Sequence, residues 1–243
     1  MYKILILCFL FVNIFASDKK ILIPLYSYPS LWIEKENIFK KIKNEKIDTY
    51  VIINPSNGPG EKLSEDYIEG IRFLKAHNVK VLAYVYTLYG KRDPYKVKED
   101  IYIWSKFYEE YGVSGIFFDE TASDLNTLSY YKDLANYARS LDFNFVVLNP
   151  GYTVDKSYID SKIANIIVTY ENSMQAWNKS FPKNINKEIE ETKLALLLHT
   201  LKNNDFKKVL NDPKTKNFTY LYITEDELSN PWDDISSKLF EEL

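Results

Sequence analysis

Gly115-Ile116-Phe117-Phe118-Asp119-Glu120 reads as a short, fully buried strand that ends abruptly in two acids. Gly, Ile and Phe suit a core, whereas Asp119 and Glu120 cannot stay charged there without partners. The end of this strand is therefore expected at a cleft. If the strand belongs to a parallel barrel, its C-terminal end is where such enzymes place their chemistry. The competing use of Asp119 is as an N-cap for the next helix. Two adjacent acids followed by Thr121-Ala122-Ser123-Asp124 are more than one cap needs.

Outward from this stretch, apolar β-rich runs alternate with amphipathic ones. Strands are expected over 21–26, 48–54, 80–87, 115–120, 144–149, 164–171, 193–200 and 218–224. Helices are expected over 31–46, 63–78, 94–111, 128–141, 156–161, 206–210 and 235–243. Leu31, Ile38, Phe39 and Ile42 share a helical spacing in the first of these, and Pro94 suits the first turn of another. The segment around Trp177 and Phe181-Pro182 reads as a loop over the cleft. Near-continuous apolar strands point to a parallel sheet buried on both faces. Eight of them, each followed by a crossover, predict a single α/β domain, a closed (β/α)8 TIM barrel. An open, doubly wound sheet would want a glycine-rich phosphate turn, and neither G-x-G-x-x-G nor a P-loop occurs.

The 243 residues, 46% hydrophobic, suit one domain of this kind. A net charge of -3 is not that of a chain tracking a phosphate backbone, so no nucleic-acid partner is expected. At the N-terminus, Lys3, the apolar run 4–15 broken only by Asn13, and Ala16-Ser17 read as a secretory signal over 1–16, leaving a barrel over 17–243. The run is short of the roughly 20 residues a membrane span needs. An uncleaved anchor is the alternative, and otherwise the mature chain is expected to be exported, to carry no integral membrane segment and to be a monomer. Cys8, the only cysteine, lies inside that leader, which excludes a disulfide framework or a cysteine metal site in the mature chain.

Polar residues gather at one end of the strands: Tyr26, Asn54, Tyr86, Asp119, Glu120, Asn149, Tyr170, Glu171, His199 and Glu225. In a barrel these positions converge on one mouth. Strands four and six are two apart, so Asp119 and Glu171 are expected to face one another. Two carboxylates flanking a bond, one protonated and one charged, are what glycoside hydrolysis requires. Each residue also has a plainer reading. Glu171 would pair with Lys91 or Arg92, Glu225 would be a solvated helix start, His199 would be hydrogen-bonded in place, and His77 would be a surface residue at a helix end. No H-E-x-x-H or histidine cluster supports a metal, adjacent strand residues Asp119 and Glu120 should point to opposite faces, and no G-x-S-x-G elbow appears. No cofactor is expected.

Ile23-Pro24-Leu25-Tyr26, Asn54-Pro55-Ser56-Asn57-Gly58-Pro59-Gly60, Tyr84-Val85-Tyr86-Thr87-Leu88-Tyr89-Gly90-Lys91-Arg92, Gly115 through Glu120 and Asn149-Pro150-Gly151 together resemble the spherulation-specific family 4 proteins, which form glycoside hydrolase family 135. The resemblance runs in order over 21–171 and is weaker through the last two strands. It implies a (β/α)8 endo-hydrolase of α-1,4-linked galactosamine or N-acetylgalactosamine polymers. By that resemblance Asp119 is the nucleophile or charge stabiliser, Glu171 the general acid/base and Glu120 an auxiliary acid. Asn54, Tyr86, Arg92 and Asn149 would line the sugar site, with Tyr26, Tyr170 and His199 as further substrate-binding candidates. A barrel that holds a polysaccharide without cutting it, or cuts another exported glycan, is the competing reading.

Overall fold

The computed structural model describes residues 19–243; the leader expected over 1–16 and Cys8 lie outside them. Eight strands, β1 (Lys20–Leu25), β2 (Thr49–Ile53), β3 (Lys80–Tyr86), β4 (Val113–Asp119), β5 (Phe145–Leu148), β6 (Ile166–Ser173), β7 (Lys193–His199) and β8 (Tyr220–Ile223), close into one barrel in sequence order. Every pairing is parallel, including β8 with β1. The strands are apolar on both faces because both are covered, by the barrel interior on one side and the helices on the other.

The expected first helix is two. α1 (Pro29–Glu34) and α2 (Glu36–Glu45) break at Lys35. The break changes the buried face: α1 buries Trp32, while α2 buries Ile38, Phe39 and Ile42. Leu31, expected on the apolar side, faces solvent instead. Trp32 packs so closely on α3 (Glu65–Ala76) that a Cβ on Gly70 would lie 2.6 Å from its ring. α4 (Pro94–Phe107), α5 (Leu128–Ser140), α6 (Lys156–Asp160), α7 (Met174–Lys179), α8 (Asp205–Asn211) and α9 (Ser237–Glu242) complete the layer. The loop expected around Trp177 is α7. Trp177 is buried there, donating to Asp212 and packing on Tyr170 and Phe181 rather than standing over the cleft. His77 is likewise buried, against Phe39 and Phe73, with Nδ1 bonded to the Phe73 carbonyl.

Two register shifts matter for the mouth. Val81 pairs Val113 and Leu82 pairs Gly115, so Ser114 is an extra residue in β4. Gly115 sits beside that irregularity because any Cβ there would come within 2.2 Å of the Phe145 carbonyl oxygen. In β6, Val168 pairs Ala195 and Tyr170 pairs Leu196, leaving Thr169 as the extra residue. Such bulges re-aim the side chains that follow.

Candidate active site

β4 hands the chain to a tight turn at its carboxyl end. Asp119 is the last strand residue, and Glu120 turns left-handed with φ 49°. That turn, not strand alternation, decides where Glu120 points: both acids line the same pocket, against the expectation that they would face opposite ways. The turn is tied to the loop after β3. Thr87 N–H and its hydroxyl donate to the Asp119 carbonyl, the hydroxyl also reaches the Glu120 carbonyl, and Tyr89 N–H donates to that same Glu120 carbonyl at 2.6 Å. The Leu88 backbone exerts a lowering pull on the Glu120 carboxyl.

β5 delivers Asn149, whose backbone N–H donates to the Phe118 carbonyl. Its side-chain nitrogen donates to Asp119 Oδ1 at 2.8 Å and to Glu171 Oε2 at 2.7 Å. Two oxygens bonded to one nitrogen at those lengths lie within about 5.5 Å of each other. Glu171 reaches this point because the β6 bulge turns Tyr170 outward and leaves the next side chain at the mouth. Its second oxygen, Oε1, accepts from Trp232 Nε1 at 3.1 Å. Gly151 closes the wall behind it, donating to the Val168 carbonyl and accepting from Glu171 N–H; its left-handed φ of 72° is what favours glycine there.

The pocket so formed has a volume of about 260 Å³ and is lined by Tyr89, Asp119, Glu120, Asn149, Pro150, Gly151 and Glu171. Three of those residues are acids and none is basic. Burial, and then the charge of Asp119, push the Glu171 carboxyl up to about 7 against the donors Asn149 and Trp232. Burial also raises Asp119, but three donors oppose it: Glu120 N–H, the Tyr84 hydroxyl and Asn149. Burial and the Asp119 charge raise Glu120. Asp119 has the more donors, and after burial it is its charge that raises Glu171, so the proton of the pair belongs on Glu171. Asn149 Oδ1 and Glu120 Oε2 are buried without a hydrogen-bond partner among the described residues.

Of the residues singled out from sequence, Tyr26, Asp119, Glu120, Asn149 and Glu171 come together. Tyr26 stands edge-on to Tyr84, and the charges of Asp119 and Glu171 both bear on its hydroxyl. Tyr170 does not join them; it packs between β6 and α7 on Trp177 and Phe181. Tyr86 and Arg92 line a neighbouring hollow. There the guanidinium lies 4.0 Å over the Tyr86 ring, donates to the Tyr86 carbonyl and pairs with Asp100 at 2.7 Å. Arg92 therefore does not neutralise Glu171. Asn54 is spent on its own loop, accepting from Gly58 N–H. His199 stands edge-on to Trp232, its Nδ1 bonded to the Thr200 hydroxyl, and burial lowers its pKa. Glu225 is taken up by Ser236 and Lys238.

Three residues at this site had not been anticipated: Tyr84, Tyr89 and Trp232. The clue for Trp232 is a large aromatic in the polar run Asn230-Pro231-Trp232-Asp233-Asp234 just beyond β8, on the mouth side of the barrel.

A family model described as spherulation-specific family 4 matches residues 20–243, nearly the whole chain. The chain belongs to that family. Spherulin-4 of Physarum polycephalum is 29% identical over 214 residues, covering 83% of this chain and 62% of its own length. The chain thus spans less than two thirds of that family member. The crystal structure of Aspergillus clavatus Sph3 in complex with GalNAc superposes with a TM-score of 0.79 over 94% of this chain and 97% of that one, at 23% identity. At that identity the likeness is one of fold, and it extends the barrel of this family chain to an experimental structure.

Proposed function

We propose that this family member is an exported, endo-acting glycoside hydrolase that cleaves α-1,4-linked galactosamine or N-acetylgalactosamine polysaccharide with Asp119 and Glu171. The observation that carries the reading is the single Asn149 amide bonded to both carboxylates. It sets a nearest oxygen separation of about 5.5 Å or less, which suits retaining chemistry, where the two carboxyl groups stand about 5–5.5 Å apart. Glu171, pushed up to about 7, carries the proton that the leaving glycosidic oxygen needs. Asp119, held charged by its donors, attacks the anomeric carbon as that bond breaks. Glu171, now ionised, then takes a proton from the water that releases the sugar from Asp119. Glu120, strained into its turn, is the auxiliary acid. The unpartnered Asn149 Oδ1 and Glu120 Oε2 are suited to accept from sugar hydroxyl, amide or amine groups.

The substrate class follows the family membership, and the GalNAc of the Sph3 complex supports it. Export rests on the leader read over 1–16, and N-terminal sequencing of the secreted protein should find Ser17 first. The deciding experiment is digestion of defined, partly deacetylated galactosamine polymers, with mass analysis of the products and NMR of the first-formed anomer. Internal cuts with retained α configuration are expected. A protein that binds the polymer and releases no reducing ends is a binding barrel, and the hydrolase reading is then wrong.

A further inference from the structure

Two tyrosines at the rim have no structural task that explains their position. Tyr89 is 49% exposed and Tyr152 48%, whereas Tyr26 and Tyr84 are packed into the floor, and Tyr28, equally exposed after β1, is bonded to Asp66 and packed on Tyr67. Tyr89 follows β3 and Tyr152 follows β5, so around the mouth they alternate with the acids of β4 and β6. Tyr89 lines the acid pocket itself, and Tyr152 directly follows the pocket residue Gly151. The hydroxyl of Tyr89 is within electrostatic range of Tyr152 and of all three acids.

The backbone under Tyr89 is strained. Leu88 and Tyr89 are both left-handed, at φ 50° and 53°, and neither is glycine. Such positions cost free energy and persist only where the surroundings enforce them. Here the enforcement is visible. Gly90 and Arg92 N–H groups both return to the Thr87 carbonyl, Tyr89 N–H is held by Glu120, and a Cβ on Gly90 would meet Thr127 at 3.0 Å. The loop is thus tied to the turn after β4, and to α5 through the Tyr131 hydroxyl on Thr87 and the Tyr130 hydroxyl on the Arg92 carbonyl. What the strain yields is no buried contact but an aromatic ring held out over the pocket, half in water.

We propose that Tyr89 and Tyr152 form a paired stacking platform that binds pyranose rings of a glycan chain next to the scissile bond. An apolar ring face with a hydroxyl at its edge matches the C–H face and hydroxyl rim of a sugar. Held rigid, such a ring binds with little loss of side-chain freedom. This assignment rests on the glycan-hydrolase reading, since it presumes the same ligand. It gives the mouth a sugar contact at the edge of the acid pocket, Tyr89, and one beyond it, Tyr152, which suits an internal cut of a chain.

The test uses the Glu171→Gln protein, so that binding is read without turnover. Its affinity for galactosamine and N-acetylgalactosamine oligosaccharides, from dimer to hexamer, is measured by titration calorimetry. Affinity should rise with length. Adding Tyr89→Ala or Tyr152→Ala should weaken hexamer binding about fivefold to tenfold each, weaken dimer binding less, and leave the melting temperature near that of the parent. Tyr89→Gly, which removes the backbone strain together with the ring, should weaken hexamer binding as much as Tyr89→Ala. Phenylalanine at either position should restore most of the affinity, because the ring face is the contact. Undiminished hexamer binding by the alanine and glycine variants overturns the platform, as does equal loss at every length. Reducing-end release by the wild type is scored separately. Binding without cleavage overturns hydrolysis and leaves the platform standing; cleavage with undiminished binding by the truncated variants does the reverse.

Discussion

At the N-terminal end of the barrel, Asp48 lies between Lys20 and Lys80, at 2.8 Å and 2.6 Å. At the C-terminal end, Asp119 and Glu171 share an amide and have no lysine or arginine beside them in the pocket. Both ends have an aromatic floor: Tyr50 stacked on Phe145 with Tyr220 edge-on below, and Tyr26, Tyr84 and Phe117 above. The electrostatics differ in sign. Burial raises Asp48, but its two lysines more than offset that, and its pKa ends below the usual range. Glu171 has only neutral donors, and burial wins. Acids alike in kind are held charged at one end and pushed toward the protonated form at the other, and the difference lies in whether a cation reaches them.

The largest effect should come from removing the reactive pair. Asp119→Asn or Glu171→Gln should lower the rate of reducing-end release by about 10³-fold, within the range general acid–base and nucleophilic groups contribute. Circular dichroism should report an intact barrel. A variant that keeps more than a tenth of the activity would erase the contrast between the two ends.

The next effect is on pH. A carboxyl whose folded pKa lies near 7 is protonated in the native state over a range where the unfolded chain, with a pKa near 4.5, is ionised. The native state then binds more protons, so stability falls as pH rises from about 4.5 through about 7. For Glu171 the loss should be about 3 kcal/mol. Urea unfolding at pH 5 and pH 8 should show this drop in the wild type and not in Glu171→Gln. Over the same interval kcat/KM should fall as Glu171 loses its proton.

Trp232→Phe tests the neutral donor directly. Trp232 Nε1–H stabilises the charged form of Glu171, so its loss should shift the alkaline limb of the pH profile upward and reduce kcat about tenfold through looser positioning. An unmoved alkaline limb would mean that the hydrogen bond does not tune the acid. The smallest effect belongs to the opposite end. Asp48→Asn should cost about 1 kcal/mol of stability, read by urea unfolding, because the pair is only partly buried. Its activity should match the wild type, since no element of the mouth touches it.

Much of the barrel could be read along the chain because each strand is an apolar run bounded by polar or turn residues, and parallel closure buries both faces of such runs. Asp119, Glu120, Asn149 and Glu171 were legible as polar residues stopping those runs on one side. The break at Lys35 was not, since helical spacing does not report where the buried face rotates. Arg92 is placed at the sugar site by the family resemblance alone, and its pairing with Asp100, on the following helix, is defined only once the loop has folded back.

The sequence by itself determined the strand count, their order and the end at which acids accumulate, because these depend on local polarity and alternation. Only the tertiary structure decided that Tyr170 turns away while Glu171 meets Asp119 as expected, that Glu120 joins them, and that Trp232 closes the site. Those outcomes turn on a one-residue bulge in β6 relative to β7, a left-handed turn after β4 and a loop arriving from beyond β8. Each is fixed by neighbouring segments distant in the chain, through hydrogen-bond register and steric fit that local polarity does not encode.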